Sequence, residues 1–161
     1  MSLRSRFAVG PKTMLGCRSL GFCLFVAAFF LPACRDMALE AGAANTFTGW
    51  ECAQAALVIS AEMETYQSPF LLAAVGGWVN PILPLYLAAT FAPRLRAIRR
   101  AVAIAIPLCV VAVWIFFAIV DLVPMIGHYL WVAGIFLTLL PEVLLAVKAP
   151  GTGNAPQALT P

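Results

Sequence analysis

The sequence predicts an all-α integral membrane protein, a helical bundle with four transmembrane helices, or three if the N-terminal segment is cleaved. Residues 69–92 contain no charged side chain, and a second uncharged run, 101–120, follows a cluster of four arginines. Helices of that length are roughly 30 to 36 Å long, which matches the thickness of bilayer hydrocarbon. Hydrophobic residues make up 63% of the chain and charged residues 11%, which excludes a soluble domain of this size.

The first predicted span, 13–34, has more than one interpretation. The chain up to residue 18 carries basic residues and no acidic ones, and the uncharged run that follows has sixteen residues. A basic start and a short apolar run are also typical of a secretory signal. Residues Leu31-Pro32-Ala33-Cys34 resemble a bacterial lipoprotein cleavage box, with Cys34 as the lipidated residue, although Pro32 departs from that pattern. Retention of the span, lipidation at Cys34 and ordinary cleavage are therefore three open alternatives.

The rest of the chain divides into an outer loop, three further spans and a tail. The loop, 35–68, is rich in acidic residues and contains an apolar stretch, Ala53–Ile59, that predicts a short helix lying on the membrane surface or capping the bundle. The further spans are predicted at about 69–92, 101–120 and 128–147. Residues 1–148 thus form a single transmembrane helical domain. Residues 149–161 are rich in proline, glycine and small polar residues, which predicts a disordered cytoplasmic tail.

The distribution of basic residues predicts the orientation in the membrane. With four spans, both termini and the 93–100 loop share one side, which holds nine of the ten lysines and arginines; only Arg35 lies opposite. Lysine and arginine in short loops favour the cytoplasmic side. We therefore expect a multi-pass protein of the bacterial inner (plasma) membrane, with its N-terminus and C-terminus in the cytoplasm and the 35–68 loop outside.

Two polar residues fall inside predicted spans. Glu142 lies six residues before Lys148, roughly 9 Å from the end of its span at about 1.5 Å per residue. A carboxylate at that depth is costly in lipid, so it is either a proton or cation site or an interfacial acid paired with Arg94 or Arg96. Asn80 lies in mid-span among glycines and prolines that predict a broken helix. Its amide either lines a substrate or ion site or bonds a neighbouring helix.

Cysteine and histidine provide further candidates. Cys34 and Cys52 both fall in the outer loop, and an oxidising compartment there would allow a disulfide between them. In the chain-entropy model such a closure is worth about 3 kcal/mol; two unpaired thiols are the alternative. His128, the single histidine, opens the fourth span and is either an interfacial residue or a partner of Asp121. The sequence has no metal-binding spacing, catalytic triad or phosphate-binding glycine loop.

Three short motifs carry a resemblance to a known class of proteins. They are Phe29-Phe30-Leu31-Pro32-Ala33 at the end of the first span, Gly49-Trp50 in the loop, and Tyr129-Leu130-Trp131 at the start of the fourth span. Over roughly residues 17–147 the chain resembles small bacterial inner-membrane proteins of unknown function with a hydrophobic N-terminus and three further spans. The resemblance implies a bacterial inner membrane and no particular activity.

A second resemblance is to the quinone-coupled disulfide-bond oxidases, which also have four spans with both termini inside. That family has a CxxC pair in its first outer loop and another cysteine pair in its other outer loop. Here the first loop has only the widely spaced Cys34 and Cys52, and residues 121–127 contain no cysteine. The resemblance therefore covers the topology and lacks the second half of the electron path.

The sequence favours an uncharacterised, non-catalytic accessory or envelope component of the inner membrane, with no cofactor. The alternative is a small transporter or channel-forming oligomer that uses Asn80 and Glu142, and the third interpretation is a membrane thiol oxidoreductase. The expected partners are membrane lipids together with further copies of the chain or another membrane protein. No basic–aromatic patch or nucleic-acid motif occurs in the sequence.

Overall fold

The computed structural model describes residues 11–37, 46–62 and 68–148, and these are mostly helical. The described residues form six α-helices, which are α1 (Pro11–Ala28), α2 (Gly49–Ala61), α3 (Ser68–Gly77), α4 (Val79–Ala89), α5 (Arg96–Ile119) and α6 (Ile126–Lys148). The strands are β1 (Pro32–Asp36), β2 (Thr46–Thr48) and β3 (Leu122–Pro124), and a short 3-10 turn, Pro93–Leu95, precedes α5. The predicted tail, 149–161, lies outside the described residues.

Within the described ranges, three helical segments are long and apolar enough to cross a membrane, namely Pro69–Ala89, Pro93–Ile119 and Ile126–Leu145. The first of them combines α3 and α4. Helix α1 has 18 residues, carries Lys12 and Arg18, and is not one of the three. The prediction of a helical protein that associates with a membrane is confirmed at this level, and the fourth span stays a prediction.

The segment predicted as one span at 69–92 is interrupted at Trp78. Helix α3 ends at Gly77 and α4 begins at Val79. Pro81 has no N–H to donate to the carbonyl oxygen of Gly77 four residues earlier, which removes a hydrogen bond from the helix at this point. The backbone N–H of Trp78 still donates to Ala74, so the two helices continue in close succession.

The basic segment 93–100 is predicted as a loop, and the structure corrects this. Only Pro93–Leu95 forms a turn, and α5 already begins at Arg96. Proline fits the first turn of a helix and arginine is a good helix former, so the helix extends beyond the uncharged run. Consequently Arg99 lies on a helix face instead of in a loop.

The structure contains a small three-stranded sheet, which the all-α prediction does not include. Strand β1 lies in the centre and pairs antiparallel with both neighbours, so that Arg35 stands opposite Thr46 on one side and Val123 on the other. Asp121, with a φ of 55°, makes the turn from α5 into β3; a short polar side chain tolerates this left-handed conformation. Strands of three to five residues are too short to show the alternating pattern that reveals a strand.

Helix α1 packs closely on α6 through two glycines. A Cβ added to Gly21 would lie 2.6 Å from the backbone nitrogen of Thr138, and one added to Gly134 would lie 2.7 Å from the carbonyl oxygen of Gly21. Small residues at such a crossing allow helix backbones to approach each other. We call the end of the bundle that carries β1, β2 and β3 the sheet end, and the opposite end, which carries residues 93–100, the arginine end.

Candidate functional site

A cavity of about 380 Å³ lies at the sheet end of the bundle. Its wall is formed by α2, α3, α5 and the starts of α4 and α6, together with the three strands and the end of α1. Most of the wall is apolar and includes the aromatic rings of Phe29, Phe70, Phe116 and Trp131. The cavity is thus an apolar space with few polar groups, among which His128, Asn80, Cys34 and Cys52 are described below.

His128 is one of these polar groups. Its side chain is 4% exposed, and its ring centroid lies 4.8 Å from that of Phe117, 5.0 Å from that of Trp114 and 5.6 Å from that of Trp131. The atom Nε2 is buried and has no hydrogen-bond partner among the described residues. Asp121 is exposed and does not bond His128, so the predicted histidine–aspartate contact is absent from the described part of the chain. A buried imidazole nitrogen without a hydrogen-bond partner is unusual, because most buried polar atoms in folded proteins have one.

Asn80 also lines the cavity, directly after the helix interruption. The indole Nε1–H of Trp131 donates a hydrogen bond to Oδ1 of Asn80 over 2.9 Å. This contact joins α4 to α6 and fixes the orientation of both side chains. Of the two predictions for Asn80, the contact with a neighbouring helix is observed, and the amide also borders the cavity.

The structure brings Cys34 and Cys52 together in the wall of the same cavity. Their Sγ atoms are 3.5 Å apart, and both residues are free thiols in this structure. Cys34 on β1 is 2% exposed, and Cys52 on α2 is half-buried. A hydrogen bond from the Cys52 thiol lowers the pKa of Cys34, whereas the same bond and burial raise the pKa of Cys52. Any negative charge of the pair is therefore expected on Cys34.

The start of α2 determines the position of Cys52. Thr48 caps the helix: its hydroxyl oxygen accepts from the backbone N–H of Glu51, and the Glu51 carboxylate accepts from the backbone N–H of Thr48 over 2.7 Å. These bonds lower the pKa of the Glu51 carboxyl group. The backbone of Gly49 donates to Leu31, and a Cβ at Gly49 would overlap the carbonyl oxygen of Ala28. Glycine therefore allows α2 to begin directly against the end of α1, which places Cys52 opposite β1.

A second polar cluster lies at the arginine end. The Oε1 atom of Glu142 lies 3.3 Å from Nη2 of Arg18 and 3.3 Å from Nη1 of Arg99. Glu142 is 6% exposed. The predicted partners, Arg94 and Arg96, are both exposed instead. Arg99 takes their place because α5 already begins at Arg96, and Arg99 therefore lies about one turn into the helix.

This cluster contains more positive than negative charge. Two guanidinium groups share one carboxylate oxygen, and Nε of each arginine is buried without a hydrogen-bond partner within the described ranges. The hydroxyl group of Tyr86, a residue that is 2% exposed, is likewise unpartnered there. The ion pairs connect α1, α5 and α6, which indicates that the cluster serves chiefly to hold these helices together.

Asn80 and Glu142 do not form a common site. Asn80 bonds Trp131, which precedes Glu142 on α6 by eleven residues, or roughly 16 Å along the helix axis. Glu142 is also not part of the cavity wall. The polar lining predicted for a transporter is therefore divided between the two ends of the bundle.

The cavity and the contacts of Arg99, Tyr86 and Trp131 are not indicated by any pattern in the sequence. An intramembrane acid signals that a basic partner exists, but does not identify which of several arginines it contacts. No group of three or more potential metal ligands occurs among the residues that the structure describes.

No family model, curated protein or solved structure matches the chain at a significant level. Both resemblances noted from the sequence therefore stay predictions.

Proposed function

We propose that this chain is a membrane protein that binds a small, largely apolar molecule in the cavity at the sheet end. One observation carries the proposal: the cavity of about 380 Å³ has a mostly apolar wall that includes His128, whose buried Nε2 has no partner among the described residues. Ligand sites are typically apolar clefts of roughly 300–1,000 Å³ with a few fixed polar groups. Binding without chemistry agrees with the non-catalytic role that the sequence favours.

Substitutions on two faces of α3 test the proposal. Ala73 lines the cavity, whereas Val75 is 47% exposed on the same helix. Ala73→Leu reduces the cavity, and Val75→Leu is the matched control. With the full-length protein in lipid nanodiscs and a brominated naphthalene as probe, we expect saturable quenching of tryptophan fluorescence in the wild type and in Val75→Leu. Saturable quenching in Ala73→Leu equal to that of the wild type, or none in the wild type, contradicts the proposal.

We propose that the chain has four spans, retains α1, and lies in a bacterial inner membrane with the arginine end in the cytoplasm. The ion pair between Arg18 and Glu142 and the close packing of Gly21 on Gly134 support retention, because cleavage would remove α1 from the bundle. The exposed arginines of residues 93–100 support the orientation. Intact-mass spectrometry tests cleavage and lipidation at Cys34. An active phosphatase and a dark fluorescent protein fused within 93–100 would contradict the orientation.

We propose membrane lipids as the surroundings of the bundle. Large apolar side chains such as Leu85, Ile104 and Leu108, each 68% exposed, support this proposal because water would solvate them poorly. Association with further copies or with another membrane protein stays a proposal too. Native mass spectrometry of the protein from nanodiscs distinguishes a monomer from either assembly.

Transport is the alternative proposal, and the separation of Asn80 from Glu142 weakens it. If Glu142 carries protons or cations, Glu142→Gln abolishes a pH-dependent flux in proteoliposomes. A flux that is unchanged in this variant removes Glu142 from any transport mechanism.

Thiol–disulfide chemistry is the third candidate function, and one observation favours it. The Sγ atoms of Cys34 and Cys52 are 3.5 Å apart, so a small movement of either side chain forms a disulfide bond of about 2.05 Å. Mixed-disulfide trapping with a Cys34→Ser variant, which leaves Cys52 as the remaining thiol of the pair, tests exchange with another protein. If the protein has no thiol–disulfide activity, no mixed disulfide forms at Cys52.

A further inference from the structure

The cluster of Arg18, Arg99 and Glu142 at the arginine end has more hydrogen-bond donors than acceptors. The Oε1 atom of Glu142 accepts from both arginines, and the carbonyl oxygen of Thr90 accepts from Arg99. Glu142 is their only ionic partner among the described residues, and Nε of each arginine is buried there without an acceptor. Each guanidinium group carries several N–H donors in a planar fork. The cluster therefore lacks one negative charge and several acceptor oxygens.

The hydroxyl group of Tyr86 is a further unsatisfied group at the same place. It interacts with the charges of Arg18, Arg99 and Glu142, and it has no hydrogen-bond partner within the described ranges. Most buried polar atoms in proteins have a partner, so three such atoms in one cluster point to a ligand. Guanidinium and hydroxyl groups both donate hydrogen bonds, and the guanidinium groups are positive. The ligand that fits them is an anion with several oxygen atoms.

The depth of the cluster in the membrane indicates where this anion comes from. The segment Pro93–Ile119 has 27 residues, and a helix of that length is roughly 40 Å long, about 10 Å longer than the thickness of bilayer hydrocarbon. The arginines of this segment all lie within residues 94–100, so the excess length lies at the arginine end. Arg99 is therefore near the boundary of the hydrocarbon, where phospholipids carry their phosphate groups.

The surface beside the cluster is suited to acyl chains. The side chains of Arg18 and Arg99 are 17% and 13% exposed, so part of each reaches the surface of the bundle. Leu15, about one turn from Arg18 on α1, and Ile98, next to Arg99, are both exposed. An anion that carries apolar chains contacts the charged and the apolar side chains together, whereas a free anion contacts only the charged ones.

We propose that Arg18 and Arg99 bind the phosphate group of an anionic phospholipid in the leaflet at the arginine end. A phosphodiester supplies the missing negative charge, and its free oxygen atoms accept from the guanidinium groups in the paired geometry that arginine forms with phosphate. Basic pockets between transmembrane helices bind lipid head groups in this way. Glu142 and the phosphate then compete for the same two arginines. The site lies at the opposite end of the bundle from the cavity and does not depend on the function proposed for the cavity.

The experiment titrates the full-length protein in neutral detergent micelles with dioleoyl phosphatidylglycerol, and native mass spectrometry measures the bound fraction. We expect saturable binding of one phosphatidylglycerol, about tenfold tighter than that of dioleoyl phosphatidylcholine, whose acyl chains are the same and whose net charge is zero. Inorganic phosphate distinguishes a lipid from a free anion. At the same concentration, we expect it neither to bind nor to displace the lipid.

Substitutions in the cluster are expected to change this affinity in opposite directions. Arg18→Gln and Arg99→Gln should each weaken phosphatidylglycerol binding about tenfold, because each removes a charge-assisted hydrogen bond. Glu142→Gln should strengthen it about tenfold, because the competing carboxylate is gone. Arg96→Gln, which changes an exposed arginine near Arg99, is the matched control and should alter the affinity less than about threefold. Thermal unfolding shows which variants are folded, and the arginine variants test the site even if Glu142→Gln does not fold.

Several outcomes would overturn the inference. Equal binding of the two lipids would mean that the charge of the head group has no effect, and an equal loss in Arg96→Gln and Arg99→Gln would indicate an unspecific basic surface. Weaker binding by folded Glu142→Gln would indicate that the cluster acts only by holding the helices together. Binding of inorganic phosphate without phosphatidylglycerol would assign the arginines to a free anion. The quenching test of the cavity is independent of all these results.

Discussion

Replacement of Glu142 by glutamine removes the one negative charge that lies between two largely buried guanidinium groups. Each bonded guanidinium nitrogen lies 3.3 Å from the same oxygen, so the two nitrogens are at most about 6.6 Å apart, twice that distance. At an effective dielectric constant of about 20, each attraction is worth about 5 kcal/mol, and the repulsion between the arginines costs at least about 2.5 kcal/mol. Glu142→Gln loses both attractions and keeps the repulsion.

The measured loss will be smaller than these gross terms, because the arginine side chains can move towards the interface. We expect Glu142→Gln to lower the free energy of unfolding by about 3–5 kcal/mol, as for other buried pairs that lose one partner. Arg18→Gln should change it by less than about 1 kcal/mol, because it removes one attraction together with the repulsion and the burial of one charge. Arg99→Gln should fall between them, since Arg99 also donates to the Thr90 carbonyl oxygen over 3.4 Å.

The assay is reversible unfolding in mixed micelles with increasing sodium dodecyl sulfate, followed by circular dichroism. Arg96→Gln is the matched control, because Arg96 is exposed near Arg99 on the same helix. An equal loss for Arg18→Gln and Glu142→Gln would refute the reasoning that the cluster has one positive charge in excess. An unchanged stability of Glu142→Gln would refute the ion pairs themselves.

Three further predictions concern other parts of the bundle. Tyr86→Phe removes a buried hydroxyl group without a partner, so its free energy of unfolding should be unchanged or higher by up to about 1 kcal/mol, and a clear decrease contradicts this. Gly134→Ala should lower the free energy of unfolding by about 1–3 kcal/mol, because its Cβ would lie 2.6 Å from the backbone of α1. Gly16→Ala should raise the free energy of unfolding by about 0.5–1 kcal/mol, because a Cβ at residue 16 has nothing within 4 Å. The Cys34 thiol has a lowered pKa, so it should keep reacting with a methanethiosulfonate reagent as the pH falls below about 8.5, the usual cysteine value. Cys52→Ala should raise the pH midpoint of this reaction rate, and Cys52→Ser, which keeps a hydrogen-bond donor, should raise it less.

The sequence predicted those parts of the fold that depend on local composition. Uncharged runs revealed the membrane-length helices, and the glycines and prolines around Asn80 predicted the helix interruption near it. The sheet was not predictable, because β1 acquires its partners from segments far along the chain. A strand of five residues has no pattern of its own that distinguishes it from a loop.

The candidate site was predictable as separate residues and not as an arrangement. The shared outer loop indicates that Cys34 and Cys52 can meet, whereas the cavity beside them depends on how α2, α3 and α5 pack. The sequence predicts a basic partner for Glu142 because a lone carboxylate is costly in lipid. The choice of Arg18 and Arg99 depends on which helices are neighbours and how each is rotated, and neither quantity is encoded in a single apolar run.

The ion pair between Arg18 and Glu142 joins residues that are 124 positions apart in the chain. During synthesis, the guanidinium group of Arg18 therefore emerges long before the carboxylate that neutralises it. Strand β1 likewise pairs along its second edge only after Leu122–Pro124 has been synthesised. The bundle is therefore complete only when its last helix has been made, and a chain that terminates before residue 142 leaves both arginines without this carboxylate.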